Sequence, residues 1–287
     1  MTKKRKNKKP IGTKIFNIFN YAFFTLLAKS LSSEKALVSG KVKLLPVEFQ
    51  TGTYKFVLGN SQFINAFKVS IFITVVGTLL GLIMTVLIAY PLSKKLLKGR
   101  SGLLLYFVFA MIFNGGLIPT YLVMQKLNLV NNIWVLILPT LVNVYNMLIM
   151  KNYFESLPDS IEESAKVDGA SDFRILVQII LPLSKPVLAT IALFFAVAHW
   201  NSYYNAMIYI TRVDLKPLQL YLKELVASTK NTLEQAGYEP DIEGMYNSSP
   251  EAVQAASIIA ATVPILVVYP FLQKYFVKGV LVGSVKG

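Results

Sequence analysis

Six carboxylates, Glu155, Asp159, Glu162, Glu163, Asp168 and Asp172, stand in one short stretch of a 287-residue chain that is otherwise 54% hydrophobic. Carboxylates at this density could serve proton transfer, but a general acid–base pair needs further positioned titratable groups. The chain holds one histidine, His199, and no cysteine. Thiol nucleophiles, thiolate metal sites and a disulfide framework are therefore excluded. No G-x-x-x-x-G-K-[ST] loop occurs, so nothing in the sequence is built to cradle nucleotide phosphates. This poverty of converging groups argues against a membrane-bound enzyme and leaves recognition, not catalysis, as the work of the acidic stretch.

Its residue order is that of a hairpin. In "LPDSIEESAKVDGA" (157–170), Asp159 or Ser160 is the expected N-cap, and Ser160 with Glu163 three residues on forms a capping box. Ile161 and Ala165, extended by Val167, give a short apolar edge, and Gly169 supplies a residue tolerant of positive φ just past the helix. A second helix is expected to start at Ser171 or Asp172 and to run through "FRILVQIIL" to Pro182. Such an object is either a solvated helical hairpin or a docking element for a partner.

The elements that carry this hairpin are membrane spans. Only 15% of the residues are charged, against about 25% in soluble domains, and no Asp or Glu occurs between Glu48 and Glu155 or after Glu251. Apolar runs over 63–92, 103–123, 133–150, 186–210 and 252–276 each approach the roughly 20 residues a crossing requires. A sixth run over 15–28 contains two Asn and reaches only about 21 Å, and is expected to cross with Lys14 and Lys29 snorkelling to opposite faces. The net charge of +14 sits in clusters beside the spans, with no aromatic-interleaved basic face for nucleic acid. "MTKKRKNKK", "KKLLKGR" and the lysines at 274, 278 and 286 all fall on one side if six spans cross, and the positive-inside rule makes that side cytoplasmic. The acidic segment 155–185 shares that side and both termini are cytoplasmic. Segment 211–251, with seven acids, faces outward as a loop with short helical pieces. Lys29, Lys35, Lys41, Lys43 and Lys55 run against the rule. Ser249–Pro250–Glu251 reads as the start of the last helix.

The five strong runs hold no carboxylate, so a stand-alone secondary transporter, which places ionisable groups inside the membrane, is disfavoured. If the chain moves a solute against a gradient, the energy comes from another polypeptide.

Here the sequence resembles a known family. The pattern E-A-A-x-x-x-G-x9-I-x-L-P marks permease subunits of binding-protein-dependent ABC importers. The chain matches it at Glu163, Ala165, Gly169, Ile179, Leu181 and Pro182, with Ser164 in place of the first Ala and Asp168–Gly169–Ala170 as the usual D-G-A. "FNGGLIPTYLVMQKLNLVNNIWVLILP" and "HWNSYYNAMIYI" are similar to the carbohydrate branch. The resemblance implies an all-α type I importer permease of about six transmembrane helices in a bacterial plasma membrane. It would pair with a second permease, two ATPase subunits that bind ATP and Mg, and an extracellular solute-binding protein. No cofactor is expected in the chain itself. Glu163, Ser164, Ala165, Asp168, Gly169 and Ala170 would form the coupling helix and turn that the ATPase pushes. The first span departs from the family in being short.

The implied organisation is a basic cytoplasmic segment 1–14, a short first span with outer segment over 15–62, a permease core over 63–277 and a tail over 278–287. A pathway for sugar, in all likeness to that branch an oligosaccharide, needs aromatic faces and amide or hydroxyl groups. Asn143, Tyr145, Asn146, Trp200, Asn201, Tyr203 and Tyr204 offer these, with packing or interfacial roles as the alternative. Gly115, Gly116 and Pro119 either open backbone groups to a cavity or simply kink the span. Another solute, such as an amino acid or phosphonate, is the alternative within the family.

Overall fold

The computed structural model describes residues 11–113, 115–235 and 249–284, and every regular element among them is helical. The basic N-terminal cluster and the acidic centre of the outer segment lie outside the described residues. The chain divides into two compact units. One comprises the described residues of Met1–Ile64 and Tyr221–Ile265, the other those of Asn65–Leu220 and Leu266–Gly287.

In the first unit, α1 (Ile11–Ser30) is 20 residues long, about 30 Å, not the 14-residue segment expected. Asn side chains cost a helix only a few tenths of a kcal/mol per residue, so the helix runs past the apolar core of the segment at both ends. The "SLSS" that follows is a hydrogen-bonded corner. Ser32 is buried, donates to the Ala28 carbonyl at 2.6 Å and accepts from Val47 N–H at 3.0 Å. Ser33 caps α2 (Glu34–Val38) by accepting from Ala36 N–H. After α3 (Gly52–Gly59) the unit is completed by the far end of the chain. Ala28, Ala36, Leu37, Val42 and Ala252 share its core, and Lys29 pairs with Glu251 at 3.1 Å. One of the lysines that ran against the positive-inside rule is thus neutralised.

The second unit is organised by α4 (Ser61–Ser93), 33 residues or about 50 Å, long and apolar enough for the crossing expected of it. The next run is bent into α5 (Arg100–Ile112) and α6 (Leu117–Lys126), their axes at 110°, with Gly116 at φ +89° between them, where Gly115 and Gly116 allowed an interruption. The run expected over 133–150 opens with two short 3-10 turns around Pro139 and bends by 45° into α7 (Val144–Glu155). Then come α8 (Asp159–Val167) and α9 (Asp172–Ile175). The chain passes through a π turn (Leu176–Ile180) into α10 (Leu181–Leu183). The widened turn lets the helix continue across Pro182, which lacks an N–H and would crowd the carbonyl four residues back. The direction then changes by 83° at Ser184 into α11 (Lys185–Trp200).

A continuous helix was expected to Ile210, but α11 stops at Trp200 and α12 (Tyr204–Tyr209) follows a break at 201–203. Asn201 causes it by turning its Nδ2 back to the Val197 carbonyl at 2.9 Å. The outer segment is more regular than expected, since α13 (Leu218–Gln235) fills 18 residues of it and buries Leu218, Leu220 and Leu222. The last helix, α14 (Pro250–Ser284), begins as expected, with Ser249 Oγ accepting from Ala252 N–H at 3.2 Å.

α4 and the Pro250–Val267 part of α14 are each long and apolar enough to cross a membrane alone, and three bent pairs raise the number to as many as five. α1 has the length of a span.

Two apolar clusters hold the second unit. One joins α4, α7, α8, the π turn and α11 through Val86, Tyr90, Met150, Ala165, Ile180 and Ile191. The other gathers Val69, Ile73, Val135, Ile137, Tyr209 and Leu220. Between them α4 and α11 approach closely. A Cβ on Gly77 would lie 2.5 Å from Nε2 of His199, and one on Gly81 would lie 2.9 Å from Phe195. The G-x-x-x-G spacing on α4 is a groove into which two stacked rings on α11 fit.

Candidate functional site: the acidic hairpin and the broken helices

The hairpin forms with the boundaries its residues suggest, except at its start. Pro158, not Asp159 or Ser160, occupies the N-cap position, and no side chain caps α8. The Pro158 carbonyl accepts from Ile161 N–H, so the helix starts one residue early and Ser160 falls inside the first turn, where its hydroxyl cannot close a capping box. Asp159 and Glu162 in that first turn favour the positive end of the helix dipole instead.

The far end closes as expected. Gly169 has φ +76°, Gly169 N–H bonds the Lys166 carbonyl, and Ala170 N–H reaches back to Ala165 at 3.0 Å. This 5→2 and 6→1 pair is the Schellman arrangement, with Ala165 and Ala170 supplying its apolar contact. Ser171 then caps α9 through Arg174 N–H, at 3.4 Å.

The matched motif therefore splits by direction. Ala165 is buried and Ala170 half-buried, holding the turn against the core. Glu163, Ser164, Asp168 and Gly169 are exposed, as are Val167 (87%) and Phe173 (70%). Two large apolar side chains next to exposed acids make a face suited to a protein partner. Asp159 and Asp172 are exposed as well, whereas Glu155 and Glu162 are half-buried and turn to cations. Glu162 pairs with Lys94, Glu155 pairs with Arg100 and with Lys151 at 2.8 Å, and Lys166 meets Asp172 at 3.2 Å. The Glu162–Lys94 and Glu155–Arg100 pairs are invisible as spacing motifs, because the partners lie 68 and 55 residues apart, whereas Lys151 and Glu155 are an ordinary i,i+4 pair. The only sequence trace of them is that "KKLLKGR" and the acidic stretch fall on the same side.

The pathway candidates fall at two helix breaks. Asn143 is exposed and caps α7 by accepting from Asn146 N–H at 3.0 Å, and Tyr145 beside it is 61% exposed. Asn201, Tyr203 and Tyr204 are exposed at the break after α11. Asn146 and Trp200 are buried. Trp200 packs edge-to-face on Phe67 with centroids 6.0 Å apart, and its Nε1 donor is without a partner. Gly77, Gly81, Lys94 and Arg100 were not singled out by sequence reasoning. The G-x-x-x-G spacing would have found the first two.

Long apolar helices, bent apolar helix pairs and a glycine-closed acidic hairpin are the features of a transport permease, and the family comparison agrees. The chain belongs to the family of the binding-protein-dependent transport system inner membrane component, matched over residues 69–282. It is 41% identical over 268 residues to the polygalacturonan/rhamnogalacturonan transport system permease protein YtcP of Bacillus subtilis (strain 168), covering 92% of each chain. It is 44% identical to protein LplC of the same strain, covering 92% of this chain and 88% of that one. Among solved structures it resembles a chain from the crystal structure of a bacterial ABC transporter involved in the import of the acidic polysaccharide alginate. That match has 37% identity and a TM-score of 0.84 and covers 93% of this chain and 95% of that one. The fold is that of the type I importer permease.

Proposed function

We propose that this chain forms half of the translocation pathway of an ATP-driven oligosaccharide importer, and that its substrate is an acidic, uronate-bearing oligosaccharide. The observation that carries this reading is the similarity, along nearly the whole chain, to a permease chain of an importer for alginate. The relative named for polygalacturonan transport points to the same solute class. The absence of Asp and Glu from Phe49 to Phe154 agrees with it, since a pathway for an anion gains nothing from fixed negative charge.

The rest of the machine follows from the hairpin. Glu163, Ser164, Val167, Asp168 and Phe173 seat in a cleft of a cytoplasmic ATPase, while Ala165, Gly169 and Ala170 keep the hairpin rigid. ATP and Mg belong to two such ATPase subunits, and closure of these subunits moves the hairpin and rocks the spans between inward- and outward-open states. A second permease completes the pathway, and an extracellular binding protein delivers solute to the outer segments around α13. Both termini are cytoplasmic. Asn143, Tyr145, Asn201, Tyr203 and Tyr204 line the path at the two breaks, with Asn146 and Trp200 behind them.

The test is uptake by the complete complex in proteoliposomes supplied with binding protein. Uptake of galacturonate oligomers that requires ATP and survives collapse of a proton gradient supports the reading. Equal uptake of neutral oligosaccharides would refute the acidic substrate, and uptake without ATP would refute the importer.

A further inference from the structure

α8 is held to its own chain by little apolar surface, since Ala165 is its only buried residue. Its two ends are a proline and a left-handed glycine, Pro158 and Gly169, where the chain changes direction. A short helix fixed only by one methyl group would tilt about those ends when pushed. The ion pairs prevent it. Lys94 is the first residue beyond α4, its Nζ sits 4.3 Å over the Tyr90 ring, and it pairs with Glu162 on α8. Arg100, at the start of α5, donates Nε–H to the Leu92 carbonyl at 2.8 Å and so caps α4. It also pairs with Glu155 at the end of α7, where Lys151 bonds the second carboxylate oxygen. Tyr90 packs edge-to-face on Phe154, one residue before Glu155. The foot of α4 is therefore joined to the hairpin and to the helix before it by charge, on side chains that are about two-thirds buried or more.

We infer that the Lys94–Glu162 pair, supported by Arg100–Glu155, is the contact through which displacement of α8 is passed to α4. The pair makes the hairpin and α4 one mechanical body, so that a push on α8 displaces the helix that packs on α11 instead of being spent on tilting. Lys94 and Glu162 are positioning residues. They touch neither solute nor nucleotide, and the exposed face of α8 stays free for the ATPase. This inference rests on the importer reading above.

The experiment uses the complete complex with binding protein in proteoliposomes and reads ATP hydrolysed per solute imported. K94M and E162Q are each expected to raise that ratio about fivefold, the low end of coupling between sites, while the ATPase subunits still co-purify. The exchanged pair K94E/E162K is expected to return it toward the wild-type value, and K94R to keep it. A purely structural pair would lower yield and activity without changing the ratio. An unchanged ratio in K94M and E162Q overturns the inference, as does an exchange no better than either single variant. If the exchanged pair does not assemble, K94R against K94M decides, equal ratios overturning it. Wild-type uptake independent of ATP would instead refute the importer reading, a result separable from these.

Discussion

Replacing Gly77 by alanine would put a methyl carbon 2.5 Å from Nε2 of His199 and under 3 Å from Cε1 and Cδ2 of the same ring. Carbon atoms rest 3.5–4.0 Å apart, so the imidazole must retreat by about 1 Å. It has little freedom to do so. His199 is buried and stacked on Phe195 with centroids 6.4 Å apart and ring planes at 18°. Phe195 in turn lies on Gly81. Overpacking of this kind costs about 1–3 kcal/mol, and the better helix propensity of alanine returns about 1 kcal/mol of it. The net expectation is a loss of up to about 2 kcal/mol, arising at the α4–α11 contact.

Gly102→Ala is the matched control, because it is also a helical glycine and nothing lies within 4 Å of its Cβ position. Thermal unfolding of the detergent-solubilised complex, with both variants purified alike, measures the difference. Gly77→Ala should unfold earlier than wild type and Gly102→Ala at or above it. His199→Ala should suppress the Gly77→Ala defect in a double-mutant cycle, since the clash is with that ring alone. A Gly77→Ala protein as stable as Gly102→Ala, or a defect indifferent to His199→Ala, would refute the close packing.

At Gly169 space is not the constraint, as nothing lies within 4 Å of its Cβ position, but φ is +76°. Gly169→Val should cost about 1–2 kcal/mol locally, unwind the turn and abolish coupled uptake while membrane insertion, assayed by protease accessibility, is unchanged. Ser171→Ala removes a weak cap of 3.4 Å and should lower stability by about 0.5 kcal/mol, the low end for N-caps, as read by thermal unfolding. Lys29→Ala should cost under about 1 kcal/mol, because the Lys29–Glu251 pair is 35% and 40% exposed, and the loss should shrink in high salt. Beyond α12, the hydrogen bond and charge of Arg212 hold the Asp214 carboxyl below its ordinary value of 3.8. The folded value is depressed, so the pair contributes above the unfolded value and is lost only as pH falls through the lower folded one. NMR titration of Asp214 should therefore show no change at neutral pH and a midpoint below 3.8 that Arg212→Ala returns upward.

Local chemistry was legible in the sequence because its causes lie within a few residues of each other. A glycine after a nine-residue amphipathic stretch closes α8, Ser249–Pro250–Glu251 starts α14, and long acid-free apolar runs are helices that can cross a membrane. The family motif was legible for the same reason, since its residues make one turn. Proline at 158 displaced the expected cap by one residue, a competition between two adjacent local signals that spacing alone did not resolve.

Tertiary structure decided what depends on partners far along the chain. Three apolar runs are bent or broken, between Ile112 and Leu117, at 137–143 and at 201–203, because Gly116 takes a positive φ, Pro139 lacks an N–H, and Asn143 and Asn201 bond the backbone, none of which hydropathy registers. The acids that looked like a single recognition stretch divide into Glu163 and Asp168, turned outward, and Glu155 and Glu162, turned to cations 55 and 68 residues away. Charge pairs act through space and carry no period along the chain, so only the folded arrangement shows which carboxylates are left for a partner.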